Sequence, residues 1–212
     1  MKNNSKLLYL VELALFIAIV LVMKIMGLSA IHVGPLNMTL TMVPIAIGAM
    51  LLGPLAGGIL GTVYGFTSFY DAITGGSVMT GIFFQINPVL TFILCVVLRA
   101  AVGVLTGFIF KGLRSVDKTD TICYFASGLA APLLNTLLFM GFIILFFYRT
   151  DYIQEKVVAL GATNPFSFVV LMVGVQGLIE AATGMIIGGG VAKALAHILK
   201  IGRRKKAEKA EK

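Results

Sequence analysis

The stretch GPLNMTLTMVPIAIGAMLLGPLAGGILG, residues 34–61, decides how the rest of the chain is read. It lies inside a longer run, Ile25 to Tyr70, that holds no Lys, Arg, Asp or Glu. An uncharged run of that length points to a bilayer, not to water, as the solvent. Its apolar residues are continuous and do not alternate, which argues against an outer-membrane barrel. Gly53-Pro54 divides the run, as a Gly-Pro pair commonly marks a turn. The pattern predicts one span over about Met38 to Leu52 and another over about Leu55 to Ala72. Both fall short of the ~20 residues of a full crossing, so tilt or local thinning is expected.

Composition carries the same message to the whole chain. Of 212 residues, 58% are hydrophobic and 12% charged, and the mean hydropathy is +1.00. Globular chains carry about 25% charged residues. A soluble enzyme, a nucleic-acid module and a secreted disulfide scaffold are excluded on that ground. Leu7 to Met26 forms the first span, read as a retained helix because it exceeds a usual signal-peptide core and more spans follow. A fourth span, Ile82 to Phe110, would be about 43 Å long at ~1.5 Å per residue, too long to stand upright. Pro88 near its start should kink it or mark where regular helix begins. A polar connection, Lys111 to Asp120, leads to span five, Thr121 to Tyr148. Span six is Phe166 to Leu199, after a charged loop from Arg149 to Pro165.

The expected fold is therefore an all-α integral membrane protein with six transmembrane helices and both termini cytoplasmic. Residues 1–200 form a six-helix transmembrane domain and 201–212 a basic tail. The orientation follows from Lys2, Lys6, Lys111, Arg114, Lys118 and the cluster Arg203-Arg204-Lys205-Lys206, all on one side. Lys24, Arg149 and Lys156 stay on the other. The net charge of +8 thus reads as a topology signal and lipid-headgroup contact, not as nucleic-acid binding.

Ionisable groups at membrane depth are costly and point to function. Glu12 and Lys24 lie near the ends of span one and can snorkel. Arg99, two-thirds along span four, and Glu180, mid-way in span six, cannot. Mutual pairing inside the bundle and an Arg99 that binds a substrate carboxylate or phosphate both stay open for them, as does a combination with the ligand inserted into a shared network. Gln85, Phe92 and Arg99 are spaced by seven and are expected on one face of a continuous helix. Asn87 lies beside Pro88, Asn135 and Thr136 are mid-span, and Gln176, Glu180 and Thr183 form a polar stripe. These residues predict a cavity built by the C-terminal half and open to the outside; the alternative is interhelical hydrogen-bond glue. Ala14 and Ala18 form an AxxxA, and Gly57, Gly61 and Gly65 repeat at fours; such spacing packs the protein's own helices or docks a partner. Cys95 and Cys123 read as small core residues, His32 as a loop residue, and His197 as a helix-end residue. There is no catalytic residue set, no metal-ligand cluster and no nucleotide motif, so neither an enzyme nor a cofactor is expected.

Taken together, the AxxxA, the GPLNMTL segment and the LLGPLAG segment resemble the S components of energy-coupling factor (ECF) vitamin transporters, over residues 7 to 199. Within that family the chain is most similar to the pantothenate type. The resemblance implies a substrate-binding subunit in the bacterial cell membrane that takes its vitamin near the outer face. It implies partners too: a membrane coupling protein, contacted through Ala14 and Ala18, and two ATPase subunits. Such subunits are thought to topple in the bilayer to release substrate. For pantothenate, Arg99 would neutralise the carboxylate, while Asn87, Asn135 and Gln176 would satisfy hydroxyl and amide groups. Glu180 belongs to the same polar set, and Tyr64, Phe69 and Tyr70 would cover the site. Other readings are an S component for another vitamin such as riboflavin, an autonomous channel or facilitator, a membrane-embedded enzyme, or a structural membrane partner.

Overall fold

The computed structural model describes residues 2–27, 31–33 and 36–199; the basic tail, 201–212, lies outside them. Its helices are α1 (Lys2–Ile25), α2 (Met42–Leu52), α3 (Pro54–Thr74) and α4 (Val78–Ile86). They continue with α5 (Pro88–Val116), α6 (Ile122–Phe146), α7 (Asp151–Ala159) and α8 (Pro165–Leu199). Strands β1 (Ile31–Val33) and β2 (Leu36–Met38) form a small antiparallel hairpin between α1 and α2.

Four helices are long and apolar enough to cross a membrane: α1 from Lys6, α5, α6 and α8. Each turns large apolar side chains outward, such as Leu15 on α1, Phe108 on α5, Leu137 on α6 and Leu178 on α8. A soluble protein would rarely leave so much apolar surface uncovered, whereas lipid covers it. The uncharged segment that opened the reading behaves differently. In α2, Met42 and every residue from Pro44 to Met50 is buried, so this helix is enclosed by protein on all sides. Its 11 residues rise only about 17 Å. The expected second span is thus a short central helix, and Leu36 to Met38 ahead of it is strand.

The Gly53-Pro54 boundary is where expected. Gly53 takes φ +100°, a conformation open to glycine, and donates its N–H to the Ala49 carbonyl to close α2. Pro54 then starts α3, where its missing N–H costs nothing.

In span four Pro88 marks where the regular helix begins, as expected, and a second irregularity further along matters for the site. The helix breaks at Asn87, which is extended, and restarts at Pro88. Asn87 accepts hydrogen bonds from the backbone N–H groups of Val89 and Leu90, both at 3.1 Å. A wider π-turn follows over Ile93–Val97. Seven-residue spacing counted through a break and a π-turn no longer marks one face. Gln85 is exposed, Phe92 is 36% exposed, and Arg99 is buried.

The charged loop between spans five and six also differs, since α7 occupies most of it. Its Ile153 and Val157 are buried in a cluster with Phe83, Leu94, Ile143, Phe147 and Phe168. Phe83 and Phe147 stack at 4.2 Å within it. The buried i, i+4 pair Ile153 and Val157 gives this helix the apolar stripe that seats it.

Glycine allows the helices to approach backbone to backbone. A Cβ on Gly57 would collide with the Gly103 carbonyl, one on Gly61 with the Arg99 carbonyl, and one on Gly65 with the Cys95–Val96 backbone. The glycine ladder of α3 therefore packs against α5 of the same chain, which settles the choice left open for it. A second seam joins α6 to α8. Pro132 cannot donate to the Gly128 carbonyl, and Gly184, at the start of a π-turn over Gly184–Gly189, sits against both.

Candidate functional site

The α3–α5 seam sets the position of Arg99. Its side chain is 9% exposed, and Nη1 donates to the Cys95 carbonyl at 3.1 Å within the π-turn. The guanidinium carbon lies 4.5 Å from the centre of the Tyr64 ring and 5.7 Å from that of Phe139. Two aromatic faces attract the cation, but they do not cancel its charge. Nε is buried without a hydrogen-bond partner. Among the described residues no carboxylate is in ion-pair contact with Arg99; the pairs found are Lys24–Asp71 and Arg114–Asp120. A buried guanidinium in that state has unfilled capacity for an anion.

Glu180 is not the partner of Arg99. It is 6% exposed, and its Oε1 accepts from the Thr39 backbone N–H at 2.7 Å and from Gln176 Nε2 at 3.0 Å. The mutual pairing considered from the sequence is therefore absent. Each charge is held separately, Arg99 by rings and a carbonyl, Glu180 by two N–H donors.

Of the residues predicted for the site, Tyr64 is brought against Arg99, and Gln176 against Glu180. Asn135 is half-buried on α6, with no side-chain hydrogen bond among the described residues. Thr183 returns its hydroxyl to the Ile179 carbonyl. Asn87 spends its side-chain oxygen on the α5 cap. Tyr70 is 66% exposed, and Phe69 packs edge-on against Phe84 and Phe92. Ala14 and Ala18 are exposed on α1.

Three participants escaped the sequence reading. Phe139 gave no signal among many phenylalanines. Ser68, whose hydroxyl reaches Cys95 Sγ at 3.9 Å, looked like any small polar residue. Asp71, just past the uncharged run, binds Lys24, so that lysine is tied to α3 and is not simply snorkelling. The two π-turns, beside Arg99 and just after Glu180, also left no mark in the sequence.

The structure has open space on another part of the surface as well. A cavity of about 910 Å³ sits there, lined by Glu12, Met50, Arg114, Asp120, Tyr124, Lys193 and His197 among others. None of the predicted substrate-binding residues borders it. At that cavity Glu12 Oε1 is buried without a hydrogen-bond partner, while other polar groups are engaged. Arg114 pairs with Asp120, and Lys193 donates to Thr121.

Comparison with known proteins bears on both the fold and the family. The solved structure of the ThiT protein of Listeria monocytogenes superposes with a TM-score of 0.61, covering 90% of this chain and 96% of that one. At 19% identity that likeness concerns the fold. The pantothenic acid transporter PanT of Lactococcus lactis subsp. cremoris (strain MG1363) is 30% identical in an alignment 179 residues long that covers 76% of this chain and 86% of that protein. The family of ECF transporter substrate-specific components matches residues 8–199, nearly all that the membrane helices occupy. The chain therefore belongs to the substrate-specific components of ECF transporters and, with four helices of bilayer length, is a multi-pass membrane protein.

Proposed function

We propose that this chain captures pantothenate for an ECF importer, with Arg99 holding the vitamin's carboxylate. The observation that carries the reading is the buried guanidinium with an unpartnered Nε and no carboxylate of its own among the described residues. A monoanionic substrate supplies the missing charge, and a carboxylate fits the guanidinium fork. Tyr64 and Phe139 would flank the bound group, and the half-buried amide of Asn135 would meet a hydroxyl or amide. The likeness to a protein named as a pantothenic acid transporter supports the choice of vitamin.

The topology we infer with it has six crossings, α1, α2, α3, α5, α6 and α8, with β2 and the turn after it completing the short α2. Both termini face the cytoplasm, where segment 201–212 meets lipid headgroups. The energising partners are a membrane coupling protein and two ATPases. Exposed Ala14 and Ala18 on α1 offer the coupling protein a close helix approach.

Native mass spectrometry of the gently purified protein, followed by titration calorimetry, tests this reading. Stoichiometric pantothenate is expected, with Arg99→Ala weakening binding by about a hundredfold or more. A protein that binds no member of a vitamin panel would overturn it in favour of a structural membrane partner.

A further inference from the structure

Among the described residues, the only side-chain hydrogen bond of Arg99 runs to the Cys95 carbonyl, four positions back on the same helix. In a regular α-helix that carbonyl is the partner of a backbone N–H, the one of Arg99 itself. The π-turn over Ile93–Val97 disturbs this ladder, and the Leu98 N–H reaches back five positions to the Ile93 carbonyl. The Cys95 carbonyl, in the middle of the turn, takes the guanidinium as a donor.

Three positions of α3 bear on the same pair. Tyr64 faces the guanidinium, its ring centre 4.5 Å from the central carbon. Gly65 is where α3 meets the π-turn: an added Cβ would lie 2.7 Å from both the Cys95 oxygen and the Val96 Cα. Ser68, one turn on, donates its hydroxyl to Cys95 Sγ at 3.9 Å. Backbone atoms cannot retreat as the end of a flexible side chain can. A side chain at position 65 must therefore displace the peptide whose oxygen holds Arg99. A guanidinium offers a carboxylate two paired edges, Nη1 with Nη2 at its end and Nε with Nη2 at its side. With Nη1 held on Cys95, the end edge is committed. The side edge contains the buried, unbonded Nε.

We infer that Gly65 is a positioning residue: it admits the Cys95–Val96 peptide against α3, so that the Cys95 carbonyl pins Nη1 of Arg99 and presents the Nε–Nη2 edge to the ligand's carboxylate. Gly65 touches no ligand and acts through Arg99. The inference rests on the capture reading above and adds which edge of the guanidinium binds and what aims it. Selectivity for a carboxylate over a neutral group follows, because one hydroxyl cannot fill two parallel donors.

The test uses the full-length protein in nanodiscs and two ligands, pantothenate and its alcohol analogue, in which CH₂OH replaces the carboxylate. Calorimetry gives both Kd values on the same sample, so a misfolded fraction lowers the stoichiometry and leaves their ratio unchanged. Wild type should prefer pantothenate by about a hundredfold. In Gly65→Ala that preference should fall about tenfold, nearly all of it through weaker pantothenate binding. Gly57→Ala, on the same ladder but against the Gly103 carbonyl, should melt lower and keep the wild-type preference. In an Arg99→Lys background, which has no side edge to aim, Gly65→Ala should change the preference less than about twofold. An unchanged preference in Gly65→Ala, with both ligands weakened alike or not at all, overturns the positioning role. So does an equal fall in Gly57→Ala, or an equal effect of Gly65→Ala whether Arg or Lys stands at position 99. Wild type that binds neither ligand overturns the capture reading and this inference with it.

Discussion

Arg99 lies within α5 and Asn87 caps its start, 12 positions earlier, and the structure gives them unlike work. Arg99 is held between two rings, with one nitrogen buried and unbonded. Lysine at that position would keep the charge and lose the planar fork, so Arg99→Lys should recover only part of the pantothenate affinity that Arg99→Ala loses. Asn87 instead closes the start of α5 with its side-chain oxygen. Its replacement by Ala should cost about 1 kcal/mol of stability, a fall of ~2–4 °C in melting temperature for a chain of this size. Pantothenate affinity should change less than about threefold, as expected of a loss of this size away from the ligand. A far larger loss of affinity, with unchanged melting, would return Asn87 to the binding site.

Elements add constraints that single residues do not reveal. The α3–α5 seam leaves no room for side chains at Gly57, Gly61 or Gly65. Gly61→Val should force the helices apart beside Arg99, lowering thermal stability by ~1–3 kcal/mol and pantothenate affinity with it. Gly141→Ala on α6, where an added Cβ meets nothing within 4 Å, is the matched control and should be neutral or mildly stabilising. At the connection between α5 and α6, Asp117 accepts from the backbone N–H groups of Thr119, Thr121 and Cys123 and from the Thr119 hydroxyl. The N–H of Cys123 and the hydroxyl of Thr119 do most to hold its carboxyl well below the usual value of 3.8. A carboxylate with a depressed folded-state pKa stabilises above its unfolded value and loses that contribution as pH falls. Melting temperature should therefore drop below about pH 4 in wild type, and drop less steeply in Asp117→Asn. Identical pH profiles would show that this cap does not govern acid stability.

Over the whole molecule, the division between lipid-facing and enclosed helices frames how the subunit would work. The outward faces of α1, α5, α6 and α8 are apolar and compatible with movement in the bilayer. Exposed Ala14 and Ala18 break the run of large side chains on α1. Ala14→Trp or Ala18→Trp should leave pantothenate binding intact and abolish energised uptake by the assembled transporter, measured in proteoliposomes with ATP. Unimpaired uptake would remove α1 as the docking helix. The chain reconstituted alone should bind and not transport; uptake without partners would revive the channel reading.

Much of this was legible in the amino-acid sequence by itself. The length and continuity of apolar runs depend only on composition and on the thickness of a bilayer, so the membrane class, the four long helices and the Gly53-Pro54 boundary could be read directly. Arg99 and Glu180 stood out because a charge in a long apolar run is conspicuous whatever surrounds it. Contacts across the sequence were not legible. Whether α2 faces lipid or protein, whether Arg99 meets Glu180, and that Glu180 takes the Thr39 N–H all depend on which helices become neighbours. Pro88 signalled the break at Asn87, but the π-turn at Ile93–Val97 left no mark, and the two together redirected the faces on which a uniform helical period relied. Tertiary packing decided these points, because glycine ladders fix the backbone spacing and thereby select which buried polar groups come within bonding distance.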